Sequence, residues 1–385
     1  MNAPIGFHDF HTDANLNYEM NRLMLGGTPE MIAEIQDAAF RIRSLDDFVT
    51  EMLELATKAE RDGRLEQTMH YTRGAEFFMA TDDPRKQATY ERFVSLADTV
   101  WGQHYERGSV IYQDAALPVL LLGRPESARV ILIHGGFDSF IEEFVPVFIA
   151  FADAGFRVVA FEGPGQGALL RRHRLPMTHE WERPTTAVIE HFGLTDVTLI
   201  GGSLGGYLAL RAAAFEARIQ RVVAFDVMYD FFDCVASRKG PVVRYGLALL
   251  LSLGASGVVD AVARVMMRSD NLARWGIGHG MDVMGVGSPS AFFSATQLYR
   301  SQPISHLVKQ DVLLLAGEAD HFVPLRQLAA QARALDNARS VTTRIFRASE
   351  NAASHCQIGN LPLVVQTMTE WITKHTGAAE VGHPG

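Results

Sequence analysis

A serine between glycines is the residue whose surroundings best suit a nucleophile. Ser203 stands in the run Gly-Gly-Ser-Leu-Gly-Gly at residues 201–206. In a Gly-x-Ser-x-Gly turn the serine occupies a strained backbone corner, and the glycines let a strand and a helix approach closely. An apolar run at 197–200 precedes the turn and a helical pattern at 207–215 follows it. This context favours a nucleophile over an ordinary glycine-rich turn, and it predicts that the N–H of Leu204 points toward a developing oxyanion.

Such a serine needs a base, and the base needs an orienting acid, because a hydroxyl is a poor nucleophile at neutral pH. With this kind of turn the chain order is serine, acid, histidine. Asp320 and His355 follow the last two apolar runs of the chain in that order. Glu318 is an alternative acid and His321 an alternative base. We prefer Asp320 and His355, because the acid usually lies a few residues beyond a strand and the histidine lies on a separate later loop.

A second oxyanion donor is expected in the loop after the first strong central strand. That loop reads His-Gly-Gly-Phe-Asp-Ser at residues 134–139. The donor would be the N–H of Phe137 or, failing that, of Gly136. We interpret His134 as a structural residue that orients the loop. Asp138 is a candidate auxiliary acid, because a carboxylate beside an oxyanion hole is unfavourable unless it carries a proton or anchors substrate. The alternative is a solvated loop aspartate or a helix N-cap.

The elements that must position these residues are typical of a parallel sheet. Short apolar runs, most of them β-branched, occur at 119–122, 130–133, 157–161, 197–200, 222–225, 312–316 and 342–346. Helical patterns separate most of the runs, which predicts a doubly wound, mostly parallel α/β core with strands buried on both faces. Residues 17–101 have apolar positions at three- and four-residue spacing and predict a helical domain, with a helix starting after Ser44.

The alternation of strands and helices stops over residues 227–308, which predicts a helical lid insertion. We therefore expect an N-terminal helical cap domain at 1–108, an α/β core at 109–226 and 309–375, this lid, and a flexible tail at 376–385. Methionine and aromatic side chains of the lid suit a pocket wall, although such residues are more often plain core. The substrate-pocket candidates are Met228, Tyr229, Phe232, Met281 and Met284.

Composition narrows the possible partners. The net charge is −9 and no Lys/Arg-rich run stands out, so we expect neither nucleic acid nor a membrane as partner and favour a small-molecule substrate. The longest apolar stretch, about 242–259, contains Arg244 and several glycines and does not resemble a membrane span. The N-terminal residues lack the pattern of a secretory signal, so the expected location is cytoplasmic.

Neither a metal nor an organic cofactor is predicted. Cys234 and Cys356 are the two cysteines of the chain, too few for a disulfide framework and without metal-ligand spacing. The run Phe-Glu-Gly-Pro-Gly-Gln-Gly at 161–167 lacks the Lys and Ser/Thr of a phosphate-binding loop. We interpret it as a structural turn.

With these residues assembled, the sequence resembles the branch of the α/β-hydrolase superfamily that contains 2,6-dihydroxypseudooxynicotine hydrolase, fermentation-respiration-switch type esterases and fungal polyketide-shortening hydrolases. The similar motifs lie at residues 135–139 with Glu-Glu at 142–143, and at 161–167, 202–206 and 355–357. The resemblance implies an α/β-hydrolase fold, an N-terminal helical domain that forms part of the active-site cover, and a homodimer. It carries the family triad onto Ser203, Asp320 and His355. It also places an auxiliary carboxylate at Asp138, here an Asp instead of a Glu.

Our leading hypothesis is hydrolysis at a carbonyl by Ser203, with His355 as base and then acid, and with Asp320 orienting it. The resembling branch splits carbon–carbon bonds in β-dicarbonyl or vinylogous-acid substrates. The resemblance therefore implies cleavage of a C–C bond next to a ketone in an aromatic or polyketide-like small molecule, with Asp138 holding or protonating the enolate. The alternative is a carboxylesterase or thioesterase in which Asp138 is structural. A non-catalytic binding protein is a third hypothesis, against which the complete serine, acid and histidine order argues.

Overall fold

The computed structural model describes residues 5–25, 27–237 and 240–376. The described residues form two compact units. The first comprises His104–Phe231 and the residues from Tyr299 onward, and the second comprises the residues up to Gln103 together with Phe232–Leu298. The four-part division expected from the sequence stays a prediction. Of the expected tail, residues 377–385 lie outside the described residues.

The first unit is built on an eight-stranded sheet in the order β1-β2-β4-β3-β5-β6-β7-β8. From β4 to the β8 edge every neighbouring pair is parallel, whereas β2 is antiparallel to both β1 and β4. The doubly wound, mostly parallel α/β sheet is confirmed. The strands are β1 (Glu106–Tyr112), β2 (Ala115–Leu122), β3 (Val130–His134), β4 (Arg157–Phe161), β5 (Val197–Gly202), β6 (Ile219–Phe225), β7 (Asp311–Gly317) and β8 (Ser340–Phe346).

Helices connect the strands and make up the second unit. In the described residues they are α1 (Ala14–Arg22), α2 (Pro29–Ala39), α3 (Leu45–Arg61), α4 (Leu65–Phe78), α5 (Lys86–Trp101), α6 (Val145–Asp153), α7 (Gly167–His173), α8 (Glu182–His191), α9 (Gly205–Phe215), α10 (Phe231–Ala236), α11 (Pro241–Ser252), α12 (Ser256–Ser269), α13 (Asn271–Met284), α14 (Pro289–Thr296), α15 (Arg326–Ala334) and α16 (Leu361–Thr376). Among the described residues, no helix has the length and apolarity that a membrane crossing requires.

The strands at the centre of the sheet are buried because parallel strands carry helices on their faces. All residues of β3 and of β7 are buried, which explains why both were visible in the sequence as continuous apolar runs. β1 was not predicted. It is an edge strand in which Val110 alone is buried, so its sequence carries little apolar signal.

A tight hairpin joins β1 to β2. Tyr112 pairs with Ala115, and the two residues between them, Gln113 and Asp114, have φ values of 47° and 61°. Two consecutive left-handed residues make a type I′ turn, whose usual marker is Asn-Gly or Asp-Gly. Because Gln-Asp lacks that marker, neither the turn nor the strand before it was predicted from the sequence.

The second unit has a hydrophobic core of its own. Met31, Ile35, Phe48 and Met52, from α2 and α3, are completely buried in it. The helix start predicted after Ser44 is present, since the Ser44 hydroxyl accepts the Asp47 N–H at 3.1 Å as the N-cap of α3.

Candidate active site

Ser203 lies on the turn between β5 and α9, at the carboxyl end of a central strand. Its φ is 59°, a left-handed conformation that costs a non-glycine residue about 1–3 kcal/mol and persists only where the surroundings enforce it. Backbone packs directly against the neighbouring glycines. A Cβ on Gly201 would lie 2.0 Å from the oxygen of Gly205, and one on Gly206 would lie 2.0 Å from the oxygen of Asp226. The predicted strand-turn-helix context of Ser203 is therefore present.

Three side chains separated in sequence form one hydrogen-bonded series. The Oγ of Ser203 lies 2.8 Å from Nε2 of His355. Nδ1 of the same ring lies 2.7 Å from Oδ2 of Asp320. The other oxygen of Asp320 accepts the N–H groups of Phe322 at 2.7 Å and Val323 at 2.9 Å, which fixes the carboxylate. The arrangement can remove the proton of the serine and hold the resulting imidazolium against a negative charge.

The alternative acid and base lie elsewhere. Glu318 accepts the N–H of Ala348 at 2.7 Å. The ring of His321 lies against Phe322 at an interplanar angle of 40°, with 3.9 Å between the ring centroids. Neither residue belongs to the hydrogen-bonded series that contains Ser203.

The electrostatics of the series follow from its burial and its charges. His355 is 6% exposed, and burial alone would lower its pKa. The negative charge and hydrogen bond of Asp320 outweigh burial and hold the pKa of His355 well above its usual value. Burial opposes the ionisation of Asp320, but the charge and hydrogen bond of His355 lower the pKa of Asp320 overall. The pair therefore favours an imidazolium beside a carboxylate.

A second carboxyl at this end of the series was not predicted. Asp226 follows β6 directly, is 1% exposed, and places Oδ2 at 3.7 Å from Nδ1 of His355. Oδ2 also accepts the N–H of Cys356 at 3.3 Å and the side-chain amide of Gln357 at 3.2 Å. An oxygen of Asp226, an oxygen of Asp320 and a ring nitrogen of His355 lie within 4.8 Å of one another.

The predicted oxyanion loop lies against the turn of Ser203. A Cβ on Gly136 would lie 2.8 Å from the nitrogen of Leu204 and 3.1 Å from Cβ of Ser203, so only glycine permits this approach. The N–H of Gly136 donates to the hydroxyl of Ser139 at 3.2 Å. The assignment of the oxyanion donors to Leu204 and to Phe137 or Gly136 stays a prediction.

A glutamine from the turn after β4 holds this loop. Nε2 of Gln166 donates to the oxygen of Gly136 at 2.8 Å and to that of Gly135 at 3.0 Å. Oε1 of Gln166 accepts the N–H of Gly163 at 2.9 Å. Because the oxygen of Gly136 belongs to the same peptide as the N–H of Phe137, Gln166 sets the direction of that N–H.

Comparison with known proteins identifies the family. A profile of the Alpha/beta hydrolase family matches residues 130–356. The chain belongs to the alpha/beta hydrolase family. Hydrolase acrC of Aspergillus aculeatus is 32% identical over 346 residues, which cover 79% of this chain and 78% of acrC. Hydrolyase poxO of Penicillium oxalicum is 31% identical over 74% of this chain and 72% of poxO.

Two solved structures share the fold of this alpha/beta hydrolase. The structure of 2,6-dihydroxy-pseudo-oxynicotine hydrolase is 18% identical, with a TM-score of 0.62 over 91% of this chain and 94% of its own. AbyA5 is 17% identical, with a TM-score of 0.68 over 94% of this chain and 97% of its own. The α/β-hydrolase fold and the hydrolase class of this protein are thereby established.

His134 in this alpha/beta hydrolase has the surroundings of a structural residue. Its Nδ1 lies 2.9 Å from the oxygen of Gly135. Its ring packs against Phe161 and Trp181, with centroid separations of 5.3 and 5.1 Å. Burial lowers the pKa of His134 to about 4, so the ring is neutral at pH 7 and its Nδ1–H donates to the carbonyl.

Glu162, a buried residue of this alpha/beta hydrolase, supports the same loop region. Its Oε1 accepts the N–H of Ile141 at 3.2 Å and its Oε2 that of Ala168 at 2.8 Å. Burial, and then the charge of Glu142, raise the pKa of Glu162 to about 8. Glu142 in turn pairs with Arg107 at 2.9 Å.

Asp138, which lies between Phe137 and Ser139 in the sequence, is partly buried. The helix N-cap interpretation is wrong, because the short helical turn that follows begins after Phe140, which occupies the N-cap position.

The five pocket candidates are divided between the two compact units. Met228 and Tyr229 belong to the first unit of this alpha/beta hydrolase, whereas Phe232, Met281 and Met284 belong to the second. Met228, Phe232 and Met284 are buried, and Tyr229 and Met281 are half-buried. Their role as a pocket wall stays a prediction.

Sequence reasoning missed Asp226 and Gln166. A signal for Asp226 was available, since an acidic residue directly after a buried strand lies on the same sheet edge as Ser203 and Asp320. For Gln166 the signal was weak, because a glutamine in a glycine-rich turn has no fixed chemical meaning.

Proposed function

We propose that this chain is a serine hydrolase that cleaves a carbon–carbon bond next to a ketone in an aromatic or polyketide-like small molecule. Ser203 is the nucleophile, His355 the base and Asp320 the orienting acid. The observation that carries the proposal is the hydrogen-bonded series, with 2.8 Å from Ser203 Oγ to His355 Nε2 and 2.7 Å from His355 Nδ1 to Asp320 Oδ2. Both distances allow direct proton transfer or charge stabilisation.

The reaction proceeds in two stages. In the first, Oγ of Ser203 attacks the ketone carbon while His355 takes the hydroxyl proton, and the N–H groups of Phe137 and Leu204 stabilise the oxyanion. The C–C bond then breaks, its electron pair forms an enolate, and the proton of the imidazolium passes to that enolate directly or through Asp138, which leaves His355 neutral. In the second stage neutral His355 takes a proton from water, whose oxygen attacks the acyl carbon on Ser203. The imidazolium then returns that proton to Oγ as the acyl–Oγ bond breaks. The products are a carboxylic acid and a ketone.

The choice of a C–C bond rests on Asp138 and on the resemblance of the sequence motifs. An acidic side chain beside an oxyanion loop is unfavourable for ester hydrolysis alone, because it repels the charge that forms there. When the leaving group is a carbanion, the same side chain supplies or retains the proton that the carbanion needs. The solved structure of 2,6-dihydroxy-pseudo-oxynicotine hydrolase, which has the same fold, motivates ketonic substrates for the first assays.

The first experiment tests whether Ser203 is the nucleophile. A fluorophosphonate probe should label the wild-type chain and not the S203A variant. Purified protein is then supplied with an aryl 1,3-diketone and, separately, with p-nitrophenyl esters. We expect the diketone to give a carboxylic acid that contains one oxygen from ¹⁸O-labelled water. Ester turnover without diketone cleavage would instead assign a carboxylesterase or thioesterase, and absence of labelling would support a binding protein.

The second experiment tests Asp138. The D138N variant should lose C–C cleavage by about 10²-fold, the lower end of what a general acid contributes, while ester hydrolysis changes less. The matched control is D153N, which neutralises an exposed aspartate at the end of α6 in the same unit. Equal effects of D138N on both substrates would remove the special role of Asp138.

We also propose the homodimer that the motif resemblance implies. Exposed apolar side chains on α11 and α12 support it: Val242 is 82% exposed, Leu249 58% and Val265 62%. Such side chains, when contiguous, mark interaction surfaces. Light scattering after size exclusion should give twice the chain mass, and L249E should reduce it to one chain mass. F40E, at an apolar residue of similar exposure outside these helices, should leave the mass unchanged.

A cytoplasmic location is proposed on the state of the cysteines. Cys234 and Cys356 are both buried cysteine thiols, which fits a reducing compartment. Fractionation of the source cells, with the protein detected by antibody, tests this location. Recovery in an extracellular fraction would contradict it.

A further inference from the structure

Two buried carboxyls meet at the acid end of the site. Asp226 follows β6 and Asp320 follows β7, and β6 and β7 are neighbours in the sheet. Both side chains lie beside Nδ1 of His355, at 3.7 Å for Asp226 and 2.7 Å for Asp320, and an oxygen of each lies within 4.8 Å of an oxygen of the other. A carboxyl donates a hydrogen bond to another carboxyl only if it carries a proton. One proton on the pair would allow such a hydrogen bond and would remove the repulsion between two buried negative charges at this distance.

We propose that Asp226 is a positioning residue that keeps this proton, donates it in a hydrogen bond to Asp320, and becomes the charged partner of His355 when Asp320 cannot ionise. The proposal rests on the proposed function of His355 as the base. Its consequence is that the imidazole faces a single negative charge, which Asp320 carries while Asp226 is neutral. Two ionised carboxyls in contact would be strongly unfavourable.

The environment of Asp226 explains why the proton resides there. Burial, and then the charge of Asp320, raise the pKa of Asp226 well above its usual value. The titratable groups facing it in the described residues are Asp320 from the loop after β7, and His355 and Cys356 from the loop after β8. The positive charge of His355 opposes this rise in the pKa of Asp226. It acts mainly on Asp320, whose oxygen is closer to Nδ1 of His355 by 1.0 Å.

Asp226 also ties the end of β6 to the loop of His355. Its Oδ1 accepts the N–H of Val227 at 2.9 Å. Its Oδ2 accepts from the backbone of Cys356 and from the side chain of Gln357, the two residues after His355. Oδ2 is thus already anchored on the histidine loop, and a shift of about 1 Å would bring it within hydrogen-bond distance of Nδ1.

The protonation state is tested by the pH dependence of kcat/KM in the D226N variant. An asparagine amide donates as the protonated carboxyl does and carries no charge. If Asp226 holds the proton, D226N lowers the rate modestly but leaves the midpoint of the acid limb within about 0.3 pH units. If Asp226 is ionised, D226N removes a charge beside the imidazole, and the midpoint falls by about 1–3 units. The second result would overturn the proposal.

The replacement role is tested with D320N and the double variant D226N/D320N. Loss of the aspartate of a Ser-His-Asp triad typically lowers kcat about 10⁴-fold. With Asp226 available we expect a loss of about 10²-fold in D320N and a further loss of about 10²-fold in the double variant. Equal activities of D320N and the double variant would overturn the proposal.

The control for the double variant is D311N/D320N. Asp311 is 6% exposed and lies at the opposite end of β7, where it accepts from Arg339 at 2.9 Å and Ser340 at 2.7 Å. Its replacement should add no loss of activity to D320N. If D311N lowers activity as much as D226N does in the D320N background, the effect of D226N is structural and the proposal is wrong.

Two further measurements distinguish this proposal from a failure of the proposed hydrolysis and from a cation bound to the same residues. The far-downfield ¹H resonance of the His355 Nδ1–H reports the acid end without any substrate. Its pH midpoint should be the same in wild type and D226N even if the reaction is not the proposed hydrolysis, and a shifted midpoint overturns the proposal. Activity that EDTA abolishes and a divalent cation restores would also overturn it, because a cation would then occupy the cluster in place of the proton.

Discussion

Replacing Gln166 with methionine removes the hydrogen bonds that hold the loop of Phe137 while keeping the length of the side chain. Gln166 is 3% exposed. Its amide group donates to the oxygens of Gly136 and Gly135 at 2.8 and 3.0 Å and accepts the N–H of Gly163 at 2.9 Å. The Q166M variant therefore removes three hydrogen bonds to the backbone. The oxygen of Gly136 and the N–H of Gly163 lose their side-chain partner, whereas the oxygen of Gly135 keeps Nδ1 of His134 at 2.9 Å.

The magnitude follows from those three bonds. A net loss of about 1 kcal/mol for each bond predicts that the free energy of unfolding falls by about 3 kcal/mol. The catalytic effect is separate. Deletion of one oxyanion donor lowers kcat about 10²–10³-fold. Because Q166M misdirects the N–H of Phe137 instead of deleting it, we expect kcat to fall about 10–100-fold. KM should change little, since the oxyanion forms only on the way to the transition state.

The matched control is Gln310, another buried glutamine of the same unit. Its Nε2 donates to the oxygen of Ala213 at 2.8 Å and its Oε1 accepts the N–H of Lys309 at 2.8 Å. Q310M should lower the free energy of unfolding by about 2 kcal/mol and leave kcat unchanged. Urea unfolding measures the first quantity, and ester turnover or the rate of fluorophosphonate labelling measures the second. Equal loss of kcat in both variants, or none in Q166M, would refute the positioning role of Gln166.

Three other predictions follow from the same structure. Because Asp320 holds the pKa of His355 well above 6.5, kcat/KM should rise with pH through a midpoint above 6.5, as a pH–rate profile would measure. Glu162 has a pKa of about 8 in the folded protein against 4.5 in the unfolded chain, so between these pH values the folded protein binds a proton that the unfolded chain lacks. Its contribution therefore lowers the free energy of unfolding as pH rises from 4.5 to 8, at most by about 1.4 kcal/mol per pH unit. The E162Q variant should flatten that slope in urea titrations. G206A should prevent folding, because its Cβ would lie 2.0 Å from a backbone oxygen, whereas G246A in α11, with no atom within 4 Å, should raise the melting temperature, as scanning calorimetry would show.

The sequence predicted the central strands because burial on both faces leaves a direct record in residue type. β3 and β7 are buried throughout and are correspondingly apolar. The same reasoning could not find β1, whose single buried residue and Gln-Asp hairpin turn leave almost no pattern. Antiparallel pairing at that edge also depends on the turn, which periodicity does not report.

Ser203, Asp320 and His355 were identifiable because their order along the chain follows from the order of the strands that carry them. The contacts of Gln166 and Asp226 were not, because each acts on residues that only the folded sheet brings near, although the position of Asp226 directly after a strand indicates its sheet edge. Gln166 contacts carbonyls 30 and 31 residues away, and Asp226 meets the histidine loop about 130 residues along the chain. No local spacing encodes such pairs.

The departures from ordinary folding rules concentrate at one edge of the sheet. Ser203 holds a left-handed backbone, and Asp226, Asp320 and His355 bury ionisable groups in mutual contact. Each departure lowers stability by itself, and together they satisfy one another, since the imidazole neutralises one carboxylate and the second carboxyl keeps its proton. Removing one member therefore lowers stability by more than the loss of its own contacts. For that reason the contribution of the acid end of the site is measured by the double replacement at Asp226 and Asp320 and not by either single change.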